Sequence, residues 1–232
     1  MNHSEQGGDS PAVIESLRET WNQPAPGLIF FDAMGTLFDL RQSLGDIYGA
    51  VAAGYGVKAE PEALTRSFFQ AFASAPPLAF GDCSPAELNQ RERDWWRGVV
   101  RNTFAGAVFS DFDAFFTELY DYFADPAPWR VYEDVPPTLE YWRDQGVPLV
   151  VLSNFDSRLT FILTGLGLRD YFAQVVVSSH CVAAKPDPRI FQQALAPWDL
   201  NPSQVWHLGD SFGADYQGAQ KAGLQAFWLQ RR

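Results

Sequence analysis

The chain has 232 residues, 47% of them apolar and 15% aromatic, with a formal net charge of -11 at pH 7. That length supports one sizeable domain or a core with a smaller insert, and the apolar share excludes a disordered chain. So acidic a surface repels a phosphodiester backbone, which excludes nucleic acid as the expected partner while leaving room for a small anionic substrate in a local basic pocket.

Met1 to Ser10 is a polar lead without the basic start and apolar core of a signal peptide. No apolar run approaches transmembrane length, so a soluble, cytoplasmic protein without a membrane partner is expected. Ser10-Pro11 offers an N-cap with proline at the first helical position, and Val13, Leu17 and Trp21 recur at four-residue spacing. The lead over 1–26 is therefore expected to be partly helical. Leu28 to Phe31 reads as a buried strand ending at Asp32, with Gly35 and Thr36 in the turn that follows. From Ser43 to Ala124 only helical patterns appear. Ile47, Val51 and Tyr55 mark one face, and Phe68, Phe69 and Phe72 another. Ser84-Pro85-Ala86-Glu87 is a capping-box signature opening a segment with Leu88, Trp95, Trp96 and Val99, and Asp111 to Phe123 adds an aromatic-rich helix.

After Pro126 and Pro128 strands and helices alternate. Helix is expected over Pro137–Gln145, Arg158–Leu166, Asp187–Leu195 and Gly213–Ala222. Strand is expected over Pro148–Leu152, Gln174–Ser178, Gln204–Leu208 and Gln225–Leu229. Such alternation implies parallel βαβ units with right-handed crossovers. Cys83 and Cys181 lie far apart without disulfide or zinc spacing, and read as reduced thiols.

In an open parallel sheet, ligands bind beyond the carboxyl ends of the strands. Asp32 follows the first strand, Ser153 and Asn154 the second, Lys185 the loop after the third, and Gly209-Asp210 the fourth. Four such positions in order point to one crevice. His207 reads as a core histidine. Trp95 and Trp96 read as packing residues, one of which could roof the site.

FFDAMGTLFD, VLSNFDSRL, Lys185 in AAKPDPRIF, and HLGDSFGADYQGAQKAG resemble the four successive motifs of the haloacid dehalogenase-like superfamily. The resemblance covers about Leu28 to Leu229, with the insert placed as in the helical-cap subgroup. It implies an α/β fold: a Rossmann-like parallel-sheet core over 27–40 and 129–232, and an inserted all-helical cap over 41–128. It further implies an aspartyl-enzyme mechanism with Asp32 as nucleophile, assisted by Lys185 and Ser153. Mg²⁺ would be held by Asp32, the Met34 carbonyl and Asp210, with Asp215 joining directly or through water. The alternative for Asp215 is a helix N-terminal role. Thr36, Asn154 and Arg158 are the candidate substrate contacts, and an ion pair is the alternative for Arg158. The partner implied is a small phosphorylated metabolite.

One position departs from the pattern. Most phosphatases of this superfamily carry a second aspartate two residues after the nucleophile, where this chain has Met34. Three readings follow: a Mg²⁺-dependent phosphatase of reduced power or specialised substrate, a 2-haloacid dehalogenase, whose leaving halide needs no proton, or a non-catalytic binding member. A phosphonate-cleaving variant would need a cap lysine, and Lys58, in a connector, is the only one.

Overall fold

Five short apolar runs pair into one parallel sheet: β1 (Leu28–Phe31), β4 (Leu149–Ser153), β5 (Gln174–Val177), β6 (Val205–Gly209) and β7 (Gln225–Trp228), in the order β5-β4-β1-β6-β7. The computed structural model describes residues 25–231. The helix expected around Val13 to Trp21 lies outside the described residues. The central strands carry no polar face because both faces are covered. Ile29, Phe31, Leu149, Val151, Trp206 and Leu208 belong to one hydrophobic cluster, with Leu139, Leu159 and Ile162. Leu28, Phe30, Val150, Leu152 and Val205 belong to a second, with Ile190, Phe191 and Ala219. Alternate residues thus feed opposite sides, as the two-residue period of a strand requires.

The strand order positions the site. From β1 the chain builds outward through β4 and β5, then crosses back to place β6 and β7 on the other side of β1. The crevice of an open α/β sheet forms where that order reverses, beyond the carboxyl end of β1.

Between β2 (Phe38–Leu40) and β3 (Trp129–Val131) lie four helices: α1 (Leu44–Gly54), α2 (Pro61–Ser74), α3 (Pro85–Thr103) and α4 (Phe112–Tyr122). Each start is chemically marked. The Ser43 side chain accepts from Asp46 N, Pro61 sits in the first turn of α2, and Asp111 accepts from Asp113 N and Ala114 N. Ser84 and Glu87 form the expected capping box on α3. The aromatic richness goes into packing this cap. Tyr48 meets Phe68 edge-on at 5.5 Å and Phe104 stacked at 6.1 Å, while Phe115 stacks on Phe109 at 4.4 Å. The chain is therefore an α/β protein with a Rossmann-like core and an inserted helical cap. The remaining helices flank the sheet: α5 (Val135–Asp144), α6 (Arg158–Gly165), α7 (Pro188–Leu195) and α8 (Gly218–Lys221).

Two local features differ from expectation. β2 and β3 pair antiparallel as a separate ribbon, Phe38 opposite Val131 and Leu40 opposite Trp129, where the two crossings between core and cap run side by side. Three residues per strand show no period, so the pattern did not reveal them. The single helix expected from Gly213 to Ala222 is instead a π-helical turn over Phe212–Gln217 followed by the short α8. Tyr216 N reaches back to Ser211 O at 3.2 Å, five residues away. That widened turn accompanies the inward fixing of Asp215.

Candidate active site

Asp32 extends β1, and Ser153 ends β4 one strand over, with Asn154 following it. Gly209 ends β6 on the other side, so Asp210 falls beside Asp32. Gly209 has to be glycine, because a Cβ there would run into the Asp215 side chain. Gly35 holds φ +80° with the Asp210 carboxylate against it, a backbone and a spacing that exclude a side chain.

Lys185 is the hub. Its Nζ donates to Asp32 Oδ1 at 2.6 Å, Asp215 Oδ1 at 2.5 Å and Leu152 O at 2.9 Å, using all three ammonium donors. Asn154 fixes the lysine's backbone, Nδ2 donating to Lys185 O and Oδ1 accepting from Lys185 N, each at 2.8 Å. Asp215, 1% exposed, also meets His207 Nε2 at 2.9 Å and accepts from Ser211 N at 3.0 Å. Burial alone would raise Asp215, but Lys185 and His207 outweigh it and hold this carboxyl well below the usual carboxylate range. Burial pushes His207 down, which keeps it a neutral donor to the anionic Asp215. Burial likewise disfavours charged Lys185, yet Asp215 and Asp32 together raise it.

The other two carboxyls move the opposite way. Burial, with Asp215 adding to it, raises Asp32 against the pull of Lys185. Burial followed by the charges of Asp32 and Asp215 raises Asp210 to about 6. One ligand oxygen from each of Asp32, Asp210 and Asp215 lies within 4.8 Å of the others. A cluster of hard oxygen donors with mutual repulsion to relieve suits a divalent cation such as Mg²⁺, and these residues form that site.

The other expected residues divide. Met34 lines the same cavity and is 37% exposed. Ser153, Asn154 and Arg158 line it too. Asn154 has both amide atoms committed to Lys185, so it positions the lysine loop. Arg158 forks onto Asp156, Nε to Oδ1 at 2.9 Å and Nη2 to Oδ2 at 2.6 Å, and stacks over Tyr120 at 3.9 Å. The ion pair is the role this geometry gives it. Thr36 falls away from the group. It is 2% exposed, its hydroxyl has no partner, and it borders a small recess beside Asp134 and Arg231.

Three features escaped the sequence reading. His207 was visible as a lone polar residue in an apolar strand, but its partner Asp215 was not. The buried Asp156 accepts from Trp96 Nε1 of the cap at 2.5 Å. Glu92 of α3, 1% exposed, accepts from Ser157 N at 3.1 Å and Ser157 Oγ at 2.8 Å. Both tie the cap to the loop after β4. Trp96 therefore borders the cavity, whereas Trp95 donates to Pro76 O inside the cap. Lys58 is exposed in the connector before α2. Cys83 and Cys181 are both free.

Phased strand ends, a hub lysine, a carboxylate cluster and a helical lid over them define a class of cap-bearing α/β hydrolases. A model of the haloacid dehalogenase-like hydrolases matches residues 26–223, and the chain belongs to that family. It is 38% identical over 203 residues to the mouse "Haloacid dehalogenase-like hydrolase domain-containing protein 3", covering 86% of this chain and 80% of the mouse protein. Among solved structures, the magnesium-bound HAD-hydrolase YfnB of Bacillus subtilis superposes with a TM-score of 0.68 at 15% identity, covering 89% of each chain. A 2-haloacid dehalogenase from Pseudomonas syringae superposes with a TM-score of 0.57 at 24% identity, covering 87% of this chain and 85% of that one. The chain is a hydrolase, and no helix among the described residues is long and apolar enough to cross a membrane.

Proposed function

We propose that this hydrolase is a Mg²⁺-dependent phosphatase acting on a small phosphorylated metabolite. The observation that carries the reading is the clustering of Asp32, Asp210 and Asp215 around one point, with Lys185 bonded to the first and last. Halide departure needs no divalent ion, and without one the three carboxylates would repel the carboxylate of a 2-haloacid. A phosphoryl group shares a cation with them.

Lys185 holds Oδ1 of Asp32, which leaves Oδ2 for attack. That oxygen forms a bond to phosphorus while the ester P–O bond breaks, its electron pair departing on the leaving oxygen. The product is an aspartyl phosphate. Water then attacks phosphorus, releases phosphate and restores the carboxylate. The developing negative charge spreads over the equatorial oxygens. Lys185 supplies fixed positive charge, and Ser153 at the end of β4 supplies a donor. Mg²⁺, held by Asp32, Asp210, Asp215 and the Met34 carbonyl, would neutralise the remaining charge on the phosphoryl oxygens. Met34 offers no proton to the leaving oxygen, which takes one from solvent.

The test is a screen of phosphate esters, acyl phosphates and 2-haloacids on the purified protein with and without Mg²⁺. Phosphate release that requires Mg²⁺ and disappears in Asp32→Asn is the expected result. Halide release without phosphate release would establish the dehalogenase instead. Turnover of nothing would leave a binding protein.

A further inference from the structure

We propose that the space between cap and core selects a phosphate ester whose leaving group is a large apolar ring system bearing no second anionic group. This rests on the phosphatase reading above, and names its substrate class. The cavity measures about 780 Å³, which is room for a drug-sized ligand beyond the phosphoryl group. Its floor is Asp32, Lys185 and Asp210. Its cap walls are aromatic: Tyr48, Phe68, Phe72, Phe116, Tyr120 and Phe123 all face it.

The cations in the lining decide what such walls accept. Lys185 has its donors on Asp32, Asp215 and Leu152 O. Arg158 is forked onto Asp156 and lies flat on Tyr120. Arg41 has its Nε on Ala127 O and is exposed to solvent, so an anion that met it there would stay hydrated and gain little. A second phosphate or a carboxylate on the substrate would lose its hydration and face the negative faces of aromatic rings. A ring finds matching edges and faces.

Two further observations agree. Phe69 and Phe72 of α2 line the cavity yet are 59% and 38% exposed. Exposed aromatics grouped at a concave surface are what an apolar ligand covers. Independently, Met34 provides no acid at the leaving oxygen. When the P–O bond breaks, an aryl oxygen carries off the electron pair as a stabilised aryloxide and takes its proton from water afterwards. One kind of substrate thus satisfies both the walls and the floor.

The experiment compares kcat/KM for phenyl, 2-naphthyl and 4-biphenylyl phosphates, whose phenols are nearly equal in acidity, with that for 3-carboxyphenyl phosphate. The second ring, in either the naphthyl or the biphenylyl ester, is expected to raise kcat/KM about ten-fold over phenyl phosphate, mainly through KM, as burial of one ring's apolar area implies. The carboxylate is expected to fall below phenyl phosphate, and Phe72→Ala to flatten the series. A flat wild-type series, or a preference for the carboxylate, overturns the proposal. If no phosphate ester is turned over, the phosphatase reading fails, and calorimetric titration with phenol, 2-naphthol and 3-hydroxybenzoate then tests the cavity alone. Tightest binding of 2-naphthol sustains the ring specificity; equal binding or tightest binding of 3-hydroxybenzoate removes it.

Discussion

Met34 stands on the cavity wall two residues beyond Asp32, the position at which most phosphatases of this superfamily carry a second aspartate. A thioether neither donates nor accepts a proton, so the difference is felt most by substrates that need one. Alkyl phosphates depart poorly as bare alkoxides, whereas aryl and acyl phosphates depart as stabilised anions. Wild-type turnover is therefore expected with p-nitrophenyl phosphate or an acyl phosphate and to be very slow with sugar phosphates. Met34→Asp should raise kcat/KM on the alkyl esters by about ten- to a hundred-fold, the lower part of the range for general acid–base help. Equal wild-type rates on both classes would show that another group supplies the proton. At this scale the sequence was informative where a polar residue follows an apolar run. Asp32, Ser153 and Asp210 were read from strand ends and Lys185 from the loop after the third strand, and all four line one cavity. It was silent where a residue's role depends on a distant partner. The Asn154 amide is matched to the Lys185 backbone across 31 positions, and nothing local to Asn154 announces it. Thr36 and Arg158 show the reverse: their neighbours in the motifs suggested substrate, while burial and Asp156 give them other surroundings.

α3 joins the cap to the core through two side chains one turn apart. Glu92 receives Ser157 N and Oγ with His180 Nε2 3.8 Å away, and Trp96 donates to Asp156. Glu92 is 1% exposed, and removing its carboxylate leaves the part-buried Ser157 N–H and hydroxyl without this acceptor. Glu92→Ala is expected to cost about 1–3 kcal/mol in urea unfolding, the usual penalty for an unsatisfied buried group. Because the same contacts seat the aromatic wall over the floor, KM should rise more than kcat falls. A variant as stable as wild type would mean that the cap is held elsewhere. Helices and buried strands were legible because caps, prolines and apolar runs are local: Ser84 with Glu87 marked α3, and Asp187 with Pro188 marked α7. The ribbon of β2 and β3 was not, since it exists only through pairing across the whole cap. The π-helical turn was not either. Its form goes with the buried bonds of Asp215 to Lys185, His207 and Ser211, which no helical period encodes.

Across the whole molecule, a net charge of -11 and a local cluster of three carboxylates both favour cations, and they can be told apart. The global charge is screened by any salt, with a Debye length of about 10 Å at 0.1 M. The cluster needs a divalent ion. Mg²⁺ that binds only the folded chain stabilises it by RT ln(1 + [Mg²⁺]/Kd), so Tm should climb with Mg²⁺ in a constant background of NaCl. Proton competition sets the pH dependence. Asp210 is raised from 3.8 to about 6 by burial and by its two acidic neighbours, so between these values the folded state holds a proton that the unfolded state has released. Its contribution to the metal-free protein therefore improves as pH falls from about 6 towards 3.8 and is lost as pH rises through 6. Asp32, also raised, acts in the same direction, while Asp215, lowered, loses its stabilising contribution only at still lower pH. Mg²⁺ requires the deprotonated carboxylates, so it works against those protons. The Tm increment from saturating Mg²⁺ is expected to be larger at pH 7.5 than at pH 5, and to vanish in Asp210→Ala. Asp210→Ala without Mg²⁺ should also be more stable than wild type at pH 7.5, because the repulsion with Asp32 and Asp215 is gone. Scanning calorimetry of both proteins at the two pH values, with and without Mg²⁺, checks every part of this. An increment that is the same at both pH values, or that survives Asp210→Ala, would place the cation outside the cluster.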